Sequence, residues 1–334
     1  MMILSQTTPS AETSYGKTLV QALTERGYVF LSASPHTLLL PWHRFVRGAH
    51  ALFLTSFRAK MAMTLPARLL GMRVFWIETR LVDRSLSAHL SVFFYRFFSR
   101  YATIVAVSRI LRQQLLDRGV REEHIHVIPQ GIPLEHRGVQ NSIFGSIAKA
   151  KTKRRTGFAI GAVSSLEKEK GVEYLLQAFA MARESIAELH LTILGHGNEK
   201  TALQWVAKKL KVEEHVLFVG WQEDLDRWIA SFDLVVAPPL RKEGIATFLL
   251  TAMAYGKPII ATDVGSLPEI IERRKTGIII EAGNATMLAE AMVNLYHHPE
   301  WREEMGKRAR ERAEEYFSLP RMINAWDVLL RHEK

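Results

Sequence analysis

Cysteine is absent from the 334 residues. That excludes a disulfide framework, a thiolate metal site and a cysteine nucleophile. Long apolar runs are missing too: none reaches the roughly 18 residues needed to span a bilayer. The opening Met1-Met2-Ile3-Leu4 reads as strand, with no charged segment leading into a long apolar stretch. No signal peptide is therefore expected, and the cytosol is the default compartment. Acidic residues are missing from one stretch, 136–157, which holds 6 Lys+Arg and no Asp or Glu. No internal repeat is evident.

What is present fits an ordinary globular chain: 48% hydrophobic and 23% charged residues exclude a disordered or collagenous protein. The length suggests two domains, each able to bury its own core. Net charge is +10, from 44 Lys+Arg against 34 Asp+Glu. It is spread unevenly. Residues 1–135 hold 16 basic and 8 acidic side chains, whereas 158–334 hold 22 and 26. The N-terminal half is expected to meet something anionic, and nucleic acid, anionic lipid and a phosphate-bearing acceptor all fit that charge.

Short β-branched runs alternate with helical patterns in the C-terminal half. Strands are predicted at Phe158–Val163, Leu189–Leu194, Val216–Val219, Leu234–Ala237, Ile259–Thr262 and Gly277–Ile280. Helices are predicted between them, then at Met287–Tyr296, Glu300–Tyr316 and Pro320–Arg331. The N-terminal half repeats the theme less cleanly, with helices at Gly16–Arg26 and Arg109–Arg118 among six strand candidates. Such alternation predicts parallel sheets covered on both faces. The expected fold is α/β, with two Rossmann-like doubly wound domains facing a cleft. The expected organisation is a first domain at 1–135, a basic linker at 136–157, a second domain at 158–319 and a terminal helix at 320–334 crossing back to the first. In such sheets ligands sit beyond the carboxyl ends of the strands.

The segment from Asp233 to Glu269 is the most informative. It reads as a buried strand, a turn holding Glu243-Gly244, a helix from about Thr247, a Gly256-Lys257-Pro258 stop and another strand. A helix N-terminus offers free N–H groups and a positive dipole end, which suit a phosphate. A carboxylate in the facing turn suits sugar hydroxyls. The same Glu243 also fits a plain helix cap. Asp224-Leu225-Asp226 opens a short helix, so these acids are read as caps and dipole partners and not as a metal site. His124, His126, His297 and His298 lack a third ligand at a suggestive spacing and are read as ordinary histidines.

This segment resembles the donor-binding core of the glycosyl transferase group 1 proteins (glycosyltransferase family 4). Three further stretches match in the family's order: Val107-Ser108 with Val127–Ile132, Ser165–Gly171, and Gly195-His196-Gly197. The resemblance covers about residues 102–331. It implies the two-domain GT-B fold and a retaining glycosyltransferase. Such an enzyme moves a sugar from a nucleotide-diphosphate donor to a hydroxyl acceptor (a glycan, a lipid-linked molecule or a small molecule). No catalytic metal and no cofactor are implied. By position, Lys170 takes the diphosphate and Glu243 the transferred sugar. The other donor-side positions are Ser165, Gly195, Gly244, Ile245, Ala246, Thr247 and Thr251. On the acceptor side the resemblance points to Gly16 and to Arg80, at the end of Trp76-Ile77-Glu78-Thr79-Arg80. The chain departs from the family at four points: Ser165 replaces an arginine, Thr251 the second glutamate of the E-x7-E motif, a first-domain histidine has no counterpart, and the Gly-rich loop after the first strand is reduced to Gly16. These departures keep an alternative open, a non-catalytic partner of the same fold in a glycosylation system. A nucleic-acid partner is not expected, since no recognised motif accompanies the charge.

One more pattern has two readings. Leu86, Leu90, Phe93 and Phe97 fall on one helical face, widened by Phe94, Tyr95, Phe98 and Tyr101, with His89, Arg96 and Arg100 beside it. The favoured reading is a core-facing helix. The other is a surface helix dipping into an anionic bilayer, which would make the protein peripheral on the inner membrane face. The basic run at 149–155 is read as a solvated tether.

Overall fold

The computed structural model describes residues 2–5, 14–32, 49–79, 88–134, 157–241 and 246–332. The expected linker therefore lies outside the described residues except for Gly157. The chain divides into two compact units, Met1–Gly131 with Leu319–Lys334, and Ile132–Ser318.

The first unit runs β1 (Met2–Ser5), α1 (Ser14–Glu25), β2 (Val29–Ser32), β3 (Ala49–Leu54), α2 (Phe57–Leu69), β4 (Arg73–Glu78), α3 (Ala88–Phe98), β5 (Thr103–Ala106), α4 (Arg109–Asp117) and β6 (Ile125–Val127). Its parallel sheet has the order β2-β1-β3-β4-β5-β6. Ser56 and Ser108 cap α2 and α4 by accepting from the backbone N–H groups of Ala59 and Leu111, which satisfies donors the helix leaves open. Helix α2 is absent from the sequence-based expectations, and it contains Pro66. The helix survives because Pro66 lies in its last turn, while Ala59, Met63 and Ala67 form a buried face at fourfold spacing.

The terminal helix α12 (Leu319–His332) belongs to this unit. Its Trp326 is fully buried, 5.1 Å from the Phe53 ring centroid, and donates from Nε1 to the Tyr15 hydroxyl at 2.8 Å. Tyr15 in turn donates to the Ile128 carbonyl. An indole sunk in an aromatic core needs that partner for its N–H. At the surface of the same helix, the Tyr28 hydroxyl donates to Asp327 at 2.6 Å.

The favoured reading of the aromatic stripe does not hold. Among the described side chains of α3 the buried one is Tyr95, whereas Phe93 is 62% and Phe97 41% exposed. Leu86 and the side chains of His89 and Leu90 lie outside the described residues. Periodicity defines a face but not the side it is packed on. Here Tyr95 takes the inner side, where its hydroxyl donates to Glu78 at 2.9 Å.

The second unit runs β7 (Phe158–Val163), α5 (Val172–Ser185), β8 (Leu189–Leu194), α6 (Lys200–Lys209), β9 (Val216–Gly220), α7 (Leu225–Ser231), β10 (Leu234–Ala237), α8 (Thr247–Ala254), β11 (Ile259–Thr262), α9 (Leu267–Ile270), β12 (Ile278–Ile280), α10 (Ala285–His297) and α11 (Pro299–Tyr316). Its sheet is parallel, in the order β12-β11-β10-β7-β8-β9. Both faces are covered. Leu234 and Val236 join the core under α5 and α10, while Val235 and Ala237 join the core under α8 and α11. Two-sided burial is why these strands read as unbroken apolar runs. Strand order reverses between β7 and β10, the switch point at which a crevice opens beyond the carboxyl ends.

Candidate active site

A cavity of about 220 Å³ lies at that switch point. Its floor is the strand ends Val163, Leu194 and Ala237, with Pro238, Pro239, Leu225, Phe248 and Leu267 as apolar walls. Ser164, Ser165, Lys170, Gly195, His196, Gln222 and Ala246 supply its polar atoms and backbone.

The loops around it interlock through main-chain hydrogen bonds. Ser164 N–H donates to the Leu194 carbonyl at 2.9 Å, Leu166 N–H to His196 at 2.9 Å and Gly195 N–H to Gly220 at 2.8 Å. The turns after β7, β8 and β9 thus form one platform. Gly195 has φ +133°, and a Cβ there would stand 1.9 Å from the Ser164 carbonyl oxygen. Only glycine permits both that conformation and that approach. Gly195→Ala is accordingly expected to destabilise the second unit by at least about 1–3 kcal/mol, read as a lower urea midpoint at constant slope.

Lys170 ends a single 3-10 turn, Lys168–Lys170, which Gly171 closes at φ +68°. A Cβ on Gly171 would stand 1.9 Å from the Pro238 carbonyl oxygen, and Leu240 N–H donates to Glu169 at 2.8 Å. The lysine is thereby held against the loop after β10. From β11, the Thr262 hydroxyl donates to the Pro239 carbonyl at 2.7 Å and fixes that loop from behind. On another wall, α8 begins at Thr247 with no side-chain cap among the described residues, its preceding residue Ala246 buried in the cavity lining. The N–H groups and positive dipole end at a helix start favour an anion. Lys170 adds a point charge, so apolar walls and a cationic end meet in one chamber.

The structure brings together Ser165, Lys170, Gly195 and Ala246. Thr247 and Thr251 lie on α8 but are not in the lining, and Thr251 is 7% exposed. Gly16 sits in the first turn of α1 in the other unit. Glu243, Gly244, Ile245 and Arg80 lie outside the described residues. Asp224 caps α7, accepting from the Arg227 N–H at 3.3 Å, as read from the sequence.

Sequence reasoning missed His196 as a side chain, and missed Trp221, Gln222 and Phe248. Trp221 is exposed at the mouth, its ring edge-on to His196 with centroids 5.9 Å apart. Gln222 is oriented by Trp228, whose Nε1 donates to its Oε1 at 3.2 Å, while its own Nε2 donates to the Trp221 carbonyl. The available signal was position: these residues follow β8 and β9 directly, beside the switch point.

Comparison with known proteins agrees with this architecture. The family described as glycosyl transferases group 1 matches residues 145–312, and glycosyltransferase family 4 matches residues 28–136. N-acetyl-alpha-D-glucosaminyl L-malate synthase of Bacillus anthracis is 33% identical over 167 residues, 50% of this chain and 43% of that protein. The amylovoran biosynthesis glycosyltransferase AmsK of Erwinia amylovora is 26% identical over 207 residues, 60% of this chain and 49% of that protein. The chain thus spans less than half the length of these curated relatives. Among solved structures, Anabaena HepE in complex with UDP superposes with a TM-score of 0.85 at 16% identity, covering 98% of each chain. A glycosyltransferase from Rickettsia africae superposes with a TM-score of 0.86 at 15% identity, covering 99% of each. These neighbours have the GT-B fold, which the sequence resemblance had implied.

Proposed function

The chain belongs to the glycosyl transferases group 1, and on that premise we propose that it moves a sugar from a nucleoside-diphosphate sugar to a hydroxyl acceptor with retention at the anomeric carbon. The observation that carries this reading is the switch-point cavity with Lys170 in its lining. Apolar walls suit a nucleoside, and the lysine with the N-terminal end of α8 suits its diphosphate. HepE, which shares the fold, is solved with UDP and with UDP-glucose.

In this reading Lys170 faces the diphosphate and Glu243 takes the hydroxyls of the transferred sugar. Ser165 and Gly195 border the phosphates, and Gly244, Ile245, Ala246 and Thr247 present the N–H groups at the start of α8. Thr251 supplies at most a neutral hydrogen bond to the ribose, about half as strong as one from a glutamate. The first unit, with Gly16 and Arg80, is assigned to the acceptor. The bond from the anomeric carbon to the diphosphate oxygen breaks. The acceptor hydroxyl oxygen bonds to that carbon from the same face, and its proton passes to the departing phosphate. Charge growing on the leaving diphosphate is met by Lys170 and by backbone N–H groups already in place, so little reorganisation is needed. No metal ion is called for.

The test is thermal denaturation of the full chain with a panel of nucleoside-diphosphate sugars, followed by transfer to candidate acceptors. A specific donor is expected to stabilise by about 2.7 kcal/mol at one hundred times its dissociation constant. If no donor raises the melting temperature and none is hydrolysed or transferred, the alternative of a non-catalytic partner takes over.

A further inference from the structure

Helix α3 has two faces of different chemistry. Tyr95 and the following Ser99 are buried, whereas Val92, Phe93, Phe97 and Tyr101 are exposed. Phe93 and Phe97 stack nearly parallel, at 6.3 Å and 9°, and Phe97 meets Tyr101 at 6.1 Å. The result is a continuous aromatic ridge in water. Folded monomers seldom leave such a ridge uncovered without a use for it.

Charge says what covers it. Arg96 and Arg100 are exposed among the rings and make no ion pair among the described residues. The 33 residues from Arg84 to Leu116 hold five arginines and no acid. The unit that bears the ridge carries 19 Lys+Arg against 9 Asp+Glu, while the other unit carries 25 of each. The whole net charge of the protein therefore lies on the ridge-bearing unit. A second copy meeting this face about a two-fold axis would set arginine against arginine. The core of a protein interface is also depleted in charge, which fits poorly with arginines set between the rings. Apolar side chains interleaved with exposed arginines match a surface with an apolar interior and anionic headgroups.

We propose that the first unit docks on an anionic lipid bilayer through α3. Phe93, Phe97 and Tyr101 enter the boundary between headgroups and acyl chains, and Arg96 and Arg100 pair with lipid phosphates. The helix lies along the membrane plane. Aromatic side chains are enriched at that depth, and each arginine near an anionic leaflet adds to the attraction. This surface is separate from the donor cavity, so either assignment can fail without the other.

The experiment uses the full chain with vesicles of phosphatidylcholine alone or with about a third phosphatidylglycerol. The protein is expected to sediment with the anionic vesicles and to stay in solution with the neutral ones. Phe93→Ser/Phe97→Ser is expected to weaken partitioning by at least about tenfold. Arg96→Gln and Arg100→Gln are each expected to weaken it by about fivefold. Nucleoside-diphosphate affinity stays at the wild-type value in all of them. Because the chain has no cysteine, Phe93→Cys carrying a polarity-sensitive fluorophore reports insertion without background, and its emission is expected to shift to the blue only with anionic vesicles. Wild-type sedimentation of Phe93→Ser/Phe97→Ser, equal binding to both vesicle types, or an unchanged label would overturn the proposal. So would a dimer that this variant converts to monomer with vesicle binding unaltered, which would give the face to a second copy.

Discussion

Lys170→Ala is expected to lower kcat for sugar transfer by about 10²–10³-fold and to weaken binding of the free nucleoside diphosphate as well. The residue is built into the site, not merely near it. Its turn is closed by Gly171, which packs on the Pro238 carbonyl, and is tied to the loop after β10 by the bond from Leu240 to Glu169. The backbone that carries the lysine is therefore set before the donor arrives, and charge developing on the diphosphate meets an ammonium in a chamber with largely apolar walls. Lys170→Arg is expected to restore only part of the rate. A planar guanidinium does not replace a compact point charge in a cavity of about 220 Å³. Glu243→Ala should separate the two roles. It is expected to abolish transfer while leaving affinity for the free nucleoside diphosphate intact, because its partner is the sugar. Calorimetry with the diphosphate and initial rates with the intact donor read both effects. An unchanged rate and affinity in Lys170→Ala would move the phosphate anchor elsewhere.

How much of this was legible in the sequence depended on burial. In the second unit Phe158–Val163, Leu189–Leu194, Leu234–Ala237 and Ile259–Thr262 form strands with the bounds their apolar runs predict. Those strands are covered on both faces, so no solvent-facing residues interrupt the signal. In the first unit the buried face of α2 includes Lys60 and Thr64, which blurs its apolar period, and the stripe of α3 holds both buried Tyr95 and exposed Phe93 and Phe97. An aromatic stripe looks the same in sequence whether it meets a core or a solvent boundary. What decides between them is a partner remote in sequence, here Glu78 on β4 for Tyr95. In the cavity, Ser165, Lys170 and Gly195 were legible because each lies in a short motif next to a strand end. Trp221 and Gln222 carry no motif and reach the cavity only through the sheet order. Thr251 stands at the second glutamate position of the family's motif, and one turn into α8 it lies 7% exposed beside the core.

Glu78→Ala is expected to destabilise the first unit by about 3–5 kcal/mol. Lys60 Nζ lies 2.6 Å from Glu78 Oε1, with side chains only 2% and 6% exposed. The Tyr95 hydroxyl donates to the same oxygen at 2.9 Å. Burial, then the charge of Glu78, holds the Tyr95 phenol well above its ordinary pKa, so it remains a donor. Thr64 extends the network: its hydroxyl donates to the Lys60 carbonyl and accepts from Trp76 Nε1 at 3.0 Å. One carboxylate thus joins α2, β4 and α3. Truncating it strands an ammonium and a hydroxyl away from water, and the loss is dominated by their desolvation, not by the pair's own attraction. Glu78→Gln keeps a hydrogen-bond partner but not the charge, so it should lose nearly as much. Removing the three side chains that meet at the carboxylate together, in Lys60→Met/Glu78→Leu/Tyr95→Phe, is expected to return stability to within about 2 kcal/mol of the parent. Urea unfolding of the set decides it. If the triple variant is as unstable as Glu78→Ala, the network contributes attraction in its own right. If Glu78→Ala keeps the parent's midpoint, the two side chains are hydrated and the buried pair does not exist as described.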